Sequence, residues 1–214
     1  MDYAQGPIDE DTIRSWTPCY IRDLSIATKQ TVTQPTLLSD RLLLSPLLPS
    51  DAPRIQLLAN SPLIADVTAH IPHPYPDGLA ESWIATHTAR WEAGELAAFG
   101  IRLKQTEQLI GVISLNHIRD RRAIVAYWIG VDYWNQGYGS EACKAITDFG
   151  FQTLDLIEVR GNHLARNPAS GRVLVKSGFE YLFSKPASLG LKTEDEMMMF
   201  YRLTLSPQGE AISV

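Results

Sequence analysis

The stretch of sequence that decides the fold reads Ile124-Val-Ala-Tyr-Trp-Ile-Gly-Val-Asp-Tyr-Trp-Asn-Gln-Gly-Tyr-Gly-Ser-Glu-Ala142. Its first eight residues are rich in β-branched and aromatic side chains, which is typical of a buried strand. A turn containing Gly137 and Gly139 follows, and from Gly137 to Thr153 the apolar residues recur at helical spacing. The sequence therefore predicts a strand, a tight turn and a helix in immediate succession.

A turn of this kind predicts an anion site that needs no Lys or Arg. Main-chain N–H groups converge at the first turn of a helix, and the helix dipole adds partial positive charge there. The two glycines let the backbone approach a bulky phosphate closely. Their spacing matches neither the Walker pattern nor GxGxxG, which argues against nucleoside triphosphates and nicotinamide cofactors. Two glycines alone leave an ordinary strand–turn–helix joint as an equal interpretation.

The apolar periodicity on both sides of this stretch predicts the remaining elements. The predicted strands are Arg41–Leu44, Ala97–Leu103, Leu109–Asn116, Ile124–Val131, Ile157–Leu164, Phe179–Ser184 and Met197–Thr204, and the predicted helices are Asp51–Asn60, Asp77–Gly94, Gly137–Thr153 and Asn167–Ser177. This order of strands and helices predicts one domain of the α/β (α+β) class that starts at Arg41. Residues 1–35 lack a sustained period and are interpreted as an extension or arm, and residues 206–214 as a tail.

The composition is that of an ordinary globular chain and excludes several classes of partner. The 214 residues are 45% hydrophobic and 20% charged, and 19 Lys+Arg against 24 Asp+Glu give a net charge of −5. Nucleic acids and membrane surfaces select clustered basic residues, so we expect neither as a partner. Apolar runs stay below the roughly 18–20 residues that cross a bilayer. Two cysteines offer no metal-ligand set and no disulfide framework, so we expect no metal and a cytoplasmic location.

A second motif, Asn167-Pro168-Ala169-Ser170, opens the helix after the fifth predicted strand. Asn is a favoured N-cap and Pro is favoured at the first helical position, so the motif predicts a helix start by itself. Gly178 follows the predicted helix where a left-handed residue usually ends one. A well-capped helix is therefore the simplest interpretation of Asn167.

Together these motifs resemble the GNAT superfamily of acyl-CoA-dependent N-acetyltransferases, in particular its Rim-type branch. The resemblance covers roughly residues 36–205, and one departure from the family pattern, Trp134 at its first position, is usual in that branch. It implies a mixed, mostly antiparallel central sheet of about six to seven strands, splayed between strands 4 and 5, with helices on both faces. The motifs that carry it are Tyr127–Gly130, Trp134–Ala142, Asn167–Ser170 and Lys176–Phe179.

The resemblance also implies acetyl-CoA as the co-substrate. Asn167 would lie beside the pantetheine arm, and Arg172 would reach a CoA phosphate, although a solvated surface arginine is an equal interpretation. The resemblance implies that main-chain groups of the splayed strand pair with pantetheine and that the glycine turn holds the pyrophosphate. The positions implied for pantetheine are Ile129 and Val131, and those for the pyrophosphate are Asn135, Gln136, Gly137, Gly139 and Ser140.

The proton chemistry departs from the family. Many relatives carry a Tyr seven residues after the Asn, where this chain has Leu174, so Ser170 is the candidate acid, through its hydroxyl or a bound water. The catalytic Glu of many relatives aligns with Ile124. His117 is the candidate base, because histidine titrates near neutral pH. Asp120 and His73 are further candidates.

Other interpretations of the base stay open. Each of the three candidates also reads as a polar loop residue, and a water relay without a dedicated base is compatible with catalysis by proximity. His87 lies on the apolar face of its helix and is interpreted as a packed core residue.

The predicted function is transfer of an acetyl group from acetyl-CoA to a primary amine, by direct attack in a ternary complex. By resemblance, the loop with His73 and Tyr75 and the helix with Trp83 cover the acceptor mouth, although Trp83 also reads as core. Protein N-terminal amines and small-molecule amines remain open as acceptors, as do monomer and homodimer as assemblies. The alternative is a catalytically inactive CoA-binding sensor or assembly subunit, because the family's Glu and Tyr are both missing.

Overall fold

The computed structural model describes residues 33–188, 190–191 and 196–205. The predicted tail at 206–214, and the predicted extension apart from residues 33–35, lie outside the described residues. The strands are β1 (Leu37–Leu38), β2 (Leu42–Pro46), β3 (Leu96–Leu103), β4 (Leu109–Arg119), β5 (Arg122–Ile129), β6 (Glu158–Leu164), β7 (Glu180–Ala187) and β8 (Glu196–Thr204). The helices are α1 (Ala52–Ala59), α2 (Pro62–Val67), α3 (Leu79–Ala85), α4 (His87–Glu92), α5 (Tyr138–Gln152) and α6 (Pro168–Lys176).

Within the described residues, eight strands form one sheet in the order β1-β2-β3-β4-β5-β6-β8-β7. Every neighbouring pair is antiparallel except β5 and β6, which run parallel with α5 as their crossover. The prediction of a mixed, mostly antiparallel sheet is therefore confirmed. The eighth strand is the two-residue β1, which is too short to leave a periodic signal in the sequence.

Helices cover both faces of the sheet, as predicted, because successive strand residues point to opposite sides. On one face, Ile113 of β4 belongs to a core that includes Ile146 of α5. On the other face, Val112 belongs to a second core that includes Ile55 of α1 and Ile84 of α3. Among the described residues, none of these helices has the length and apolar character needed to cross a bilayer.

The parallel pairing of β5 with β6 is short, and the two strands then separate. Their register runs only from Arg122↔Glu158 to Ile124↔Arg160. Beyond that point β5 continues to pair with β4, up to Ile129, and β6 continues to pair with β8, up to Leu164. The predicted splay between the fourth and fifth predicted strands is confirmed, and it opens from Ile124 toward Ile129.

Two predicted boundaries were wrong in an informative way. The helix predicted over Asp77–Gly94 is divided at Thr86 into α3 and α4. The Thr86 hydroxyl donates to the carbonyl oxygen of Trp83 at 2.8 Å, and such a bond competes with the helical ladder. The hairpin strand predicted to end at Asn116 continues to Arg119 through a register shift, with His117 at a φ of 52°.

Candidate active site

The predicted succession of a strand, a tight turn and a helix is present from β5 to α5. Gly137 is the N-cap of α5 at a φ of 82°, and Asn135 is also left-handed at 59°. The first-turn N–H groups of α5 have no acceptor within the helix, so they are available to an anion at the turn. Gly139 has a further reason to be glycine, because a Cβ there would lie 3.2 Å from Cγ2 of Val173 on α6.

An arginine that sequence analysis did not assign to this turn also lies at it. Arg41, in the turn between β1 and β2, donates from Nη1 to the carbonyl oxygen of Gln136 at 3.0 Å. Its guanidinium lies 4.6 Å from the ring centroid of Tyr138 and pairs with Glu141 at 2.8 Å. The anion site without Lys or Arg stays a prediction, and the structure adds a cation to this turn from a segment about 100 residues away in the chain.

Glu141 fixes this arginine to the helix. Its carboxylate accepts hydrogen bonds from the main-chain N–H of Arg41 at 2.6 Å and from the hydroxyl of Ser39 at 2.8 Å. Burial alone would raise the pKa of Glu141, but the bonds from Arg41 and Ser39 outweigh burial and hold it below its usual value. The β1–β2 turn is thus held against the first turn of α5.

At the other end of the splay, two hydroxyl groups meet across the gap. Tyr127, in the part of β5 that no longer pairs with β6, has its hydroxyl oxygen 2.8 Å from that of Ser170 in the first turn of α6. It also donates to the carbonyl oxygen of Ser170 at 3.0 Å. Burial is the largest cause that raises the pKa of Tyr127, so its phenol keeps its proton at all physiological pH values. Sequence analysis missed this partner, although Tyr127 stands in a quoted motif.

Asn167 and Leu174 explain how α6 places Ser170. As predicted, Asn167 is the N-cap, and its Oδ1 accepts from the N–H of Ser170 at 3.3 Å. Leu174, at the family's tyrosine position, is 1% exposed. A Cβ at Gly161 of β6 would lie 2.7 Å from its Cδ2, so position 174 faces the sheet rather than the gap.

The candidate bases are not gathered at the hydroxyl pair. His117 and Asp120 are exposed residues around the β4–β5 hairpin turn. Asn116, which precedes His117, pairs with Ile124, the last residue of β5 that is still joined to β6. Tyr127 lies three residues further along β5, or about 10 Å at the usual rise of a strand. His73 is exposed in the loop between α2 and α3.

The second face of β5 is open where the splay begins. Ala126 is exposed although its strand is central in the sheet, and its neighbours on that face, Ile124 and Trp128, are half-buried. Trp128 packs on the second core, as does the half-buried Trp83. Tyr75 is a buried member of the same core, at 9% exposure, and its N–H donates to Oδ1 of Asn60 at 2.9 Å.

The hydrogen bonds of the Tyr127–Ser170 pair among the described residues do not include His87 or Arg172. His87 is buried, packs edge-on to Trp83 at 4.4 Å, and has no hydrogen-bond partner on either ring nitrogen among the described residues. Burial, followed by Arg90, lowers the pKa of His87 to about 4, so this histidine is neutral. Arg172 is exposed and lines a cavity of about 490 Å³ together with His163 of β6 and residues of α6 and β8. Its contact with CoA phosphate stays a prediction.

The remaining predicted cofactor positions lie along one path. Ile129 is the last residue of β5, Val131 begins a short helical turn, and Gln136 and Ser140 flank the glycines of the turn. The splay, the glycine turn and the hydroxyl pair therefore lie in succession from β5 to α5 and α6. β5 and β6 do not pair with each other beyond Ile124 and Arg160, and the carbonyl oxygen of Ile129 accepts a hydrogen bond from Nε1 of Trp134 at 2.6 Å. An open strand edge that leads to a helix N-terminus suits an extended, phosphate-bearing ligand.

Comparison with known proteins identifies the family. Residues 41–180 match the family model described as Acetyltransferase (GNAT) domain, and the chain therefore belongs to the GNAT acetyltransferase family. A curated relative is the uncharacterized N-acetyltransferase YoaA of Bacillus subtilis, 29% identical over 150 residues, which are 68% of this chain and 83% of that protein.

Solved structures share the fold. One is a putative ribosomal-protein-serine acetyltransferase from Vibrio cholerae, with a TM-score of 0.67, 24% identity, and coverage of 79% of this chain and 97% of that one. Another is the spermidine N-acetyltransferase of the same organism in complex with CoA and spermine, with a TM-score of 0.66 and 18% identity. It covers 77% of this chain and 95% of that one. The GNAT recognition made from the sequence motifs is confirmed.

Proposed function

We propose that this protein transfers an acetyl group from acetyl-CoA to a primary amine by direct attack in a ternary complex. The observation that carries the proposal is the splay, where β5 and β6 stop pairing with each other and the edge of β5 leads to the glycine turn. Pantetheine carries amide groups that can satisfy main-chain donors and acceptors on both walls. The pyrophosphate then lies at the N-terminus of α5, beside the guanidinium of Arg41.

In this scheme the neutral amine attacks the thioester carbonyl, and a tetrahedral intermediate forms. Main-chain N–H groups of β5 stabilise its oxyanion, and the C–S bond then breaks with Ser170 facing the departing sulfur. Asn167 holds the first turn of α6 in place beside pantetheine. The proton lost by the amine passes to water or to His117.

The acceptor enters from the second face of the sheet, where Ala126 is exposed. This opening lies beside Trp128, which packs on the same core as Trp83 and Tyr75. An aromatic wall at this place suits a peptide N-terminus or an alkyl amine equally well. The solved neighbours include a protein described as a ribosomal-protein-serine acetyltransferase and a spermidine N-acetyltransferase, so both acceptor classes belong in the assay.

A thermal-shift titration with acetyl-CoA, with ATP as the control, tests donor binding first. Acetyl-CoA at about 100 times its Kd adds about 2.7 kcal/mol to the free energy of unfolding and raises the Tm by several degrees. Thiol release from acetyl-CoA is then measured with a panel of peptides, polyamines and amino acids. A chain that acetyl-CoA does not stabilise is not an acetyl-CoA enzyme.

The second candidate function, a CoA-binding sensor or assembly subunit without catalysis, is favoured by two positions. Ile124 stands where many relatives have a Glu, and the buried Leu174 stands at the position of their Tyr. A thermal shift with acetyl-CoA, without thiol release for any amine in the panel, selects this function. Thiol release that survives both Ser170→Ala and His117→Ala instead removes the roles proposed for those residues.

A further inference from the structure

Two hydroxyl groups occupy opposite walls of the splay. Tyr127 lies in the middle of the segment of β5 that pairs only with β4, and Ser170 lies in the first turn of α6. Their oxygens are 2.8 Å apart, and the Tyr127 oxygen is also 3.0 Å from the Ser170 carbonyl oxygen. A phenol thus reaches the thiol end of the splay from β5, although the family position on α6 holds Leu174.

The two protons of this pair allow two arrangements. In the first, Tyr127 donates to the Ser170 carbonyl, and the Ser170 hydroxyl donates to Tyr127, away from any ligand. In the second, Tyr127 donates to the Ser170 hydroxyl oxygen, and the Ser170 proton is free for another acceptor. An anionic sulfur is a strong acceptor, so its arrival favours the second arrangement.

We propose that Tyr127 is a positioning residue that holds the Ser170 hydroxyl as a hydrogen-bond donor to the departing sulfur of the acyl donor. The inference rests on the proposed function. The C–N bond forms when the amine attacks. The C–S bond then breaks, its electron pair goes to sulfur, and the carbonyl is restored.

The proton that neutralises the thiolate comes from the attacking nitrogen, by way of water. Tyr127 and Ser170 both keep their own protons throughout. This agrees with the raised pKa of Tyr127, because a buried phenol is a poor net acid but remains a good hydrogen-bond donor. The pair therefore lowers the energy of the thiolate without being consumed.

The test uses CoA alone and requires no knowledge of the acceptor. The fraction of bound CoA that is thiolate is followed by ultraviolet absorbance from about pH 6 to pH 9, with the apo protein at each pH as the blank. Cys143 does not interfere, because burial raises the pKa of its thiol to about 12. We expect the thiol pKa of bound CoA to lie below that of free CoA in the wild-type protein.

Three variants separate the two hydrogen bonds of Tyr127. Ser170→Ala and Tyr127→Phe should each raise the CoA thiol pKa by about one pH unit, a tenfold change in the thiolate-to-thiol ratio. In the double variant, Tyr127→Phe should add nothing, because the hydroxyl through which it acts is gone. Tyr201→Phe, which removes another buried tyrosine hydroxyl, 3.3 Å from His163, should behave as wild type.

A structural role predicts a different result. If Tyr127 acts only through the Ser170 carbonyl, Tyr127→Phe changes the thiol pKa equally with Ser or Ala at position 170, and the proposal is overturned. An unchanged thiol pKa in Ser170→Ala overturns it as well. Failure of CoA to raise the Tm of the wild-type protein would instead reject the proposed function, and this inference with it.

Discussion

The two ends of the splay are built from different kinds of sequence information. The proposed phosphate end is made mainly by one contiguous segment, in which β5, the Gly137 turn and α5 follow each other. The proposed thiol end joins side chains from two separate elements, Tyr127 on β5 and Ser170 on α6, which are 43 residues apart. Only the first end therefore has a short motif that can be recognised from the residues alone.

The comparison also separates two ways of supplying a functional group. At the phosphate end, helix geometry supplies the N–H groups, and Arg41 adds a cation from a distant turn. At the thiol end, the position where relatives place a tyrosine is filled by the buried Leu174, and a phenol arrives from β5. Under the proposed function, a phenol would therefore act from β5, through Ser170, and not from position 174 of α6.

Leu174→Tyr gives the largest expected effect. It introduces the tyrosine that many relatives carry at this position of α6. Because Leu174 is 1% exposed, the larger ring should lower the free energy of unfolding by about 1–3 kcal/mol without raising kcat. Denaturant unfolding and thiol-release assays measure the two effects. Val175→Tyr, at a neighbouring position that is 58% exposed, is the matched control and should leave stability nearly unchanged. A stable Leu174→Tyr variant with a higher kcat would show that position 174 does reach the sulfur.

Arg41→Ala tests the long-range part of the phosphate end. Loss of one charge-assisted contact of about 1.5 kcal/mol should weaken acetyl-CoA binding about tenfold, measured as Kd by calorimetry. Turnover of acetyl-pantetheine, which lacks the phosphates, should not change. Lys144→Ala removes an exposed cation from α5, the helix that the Arg41 side chain contacts, and serves as the control. Equal losses with both donors would mean that Arg41 acts on the fold rather than on the phosphates.

Asn167→Ala tests how far capping explains the second motif. Loss of the hydrogen bond that the Ser170 N–H donates to its Oδ1 should lower the free energy of unfolding by about 1 kcal/mol. Ser61→Ala, at an N-cap whose side chain makes no capping bond, should cost little. Asn167→Asp keeps a capping oxygen and should restore stability. A Km for acetyl-CoA that stays high in Asn167→Asp would show a direct contact of the amide with pantetheine.

The smallest expected effect concerns Glu141 and pH. Its pKa in the folded protein lies below the ordinary glutamate value of 4.5, so Glu141 contributes stability at pH values above 4.5. This contribution is lost as the pH falls from 4.5 through the folded pKa. Glu141→Gln should therefore show a shallower loss of stability in that window, measured by urea unfolding at each pH. An identical pH dependence in both proteins would mean that the ion pair between Arg41 and Glu141 does not stabilise the fold.

Local patterns in the sequence were sufficient for much of the fold. Periodicity placed the strands around the splay, and capping rules placed the start of α6 at Asn167 and its end before Gly178, where φ is 88°. They failed at Thr86, between α3 and α4, where the hydroxyl donates to the carbonyl oxygen of Trp83. They also failed for β1, whose two residues carry no period.

In the candidate site as well, some features follow from local sequence and others only from tertiary contacts. Residues 124–142 by themselves determined the strand, the left-handed Gly137 and the helix N-terminus, because these depend on backbone conformation and hydrogen bonds between near neighbours. Only the tertiary structure placed Arg41 on the turn, joined Tyr127 to Ser170 and exposed Ala126 on a central strand. Those contacts depend on which segments the sheet order and the crossover helix bring together. Because these segments are far apart in the sequence, no short-range pattern predicts the contacts.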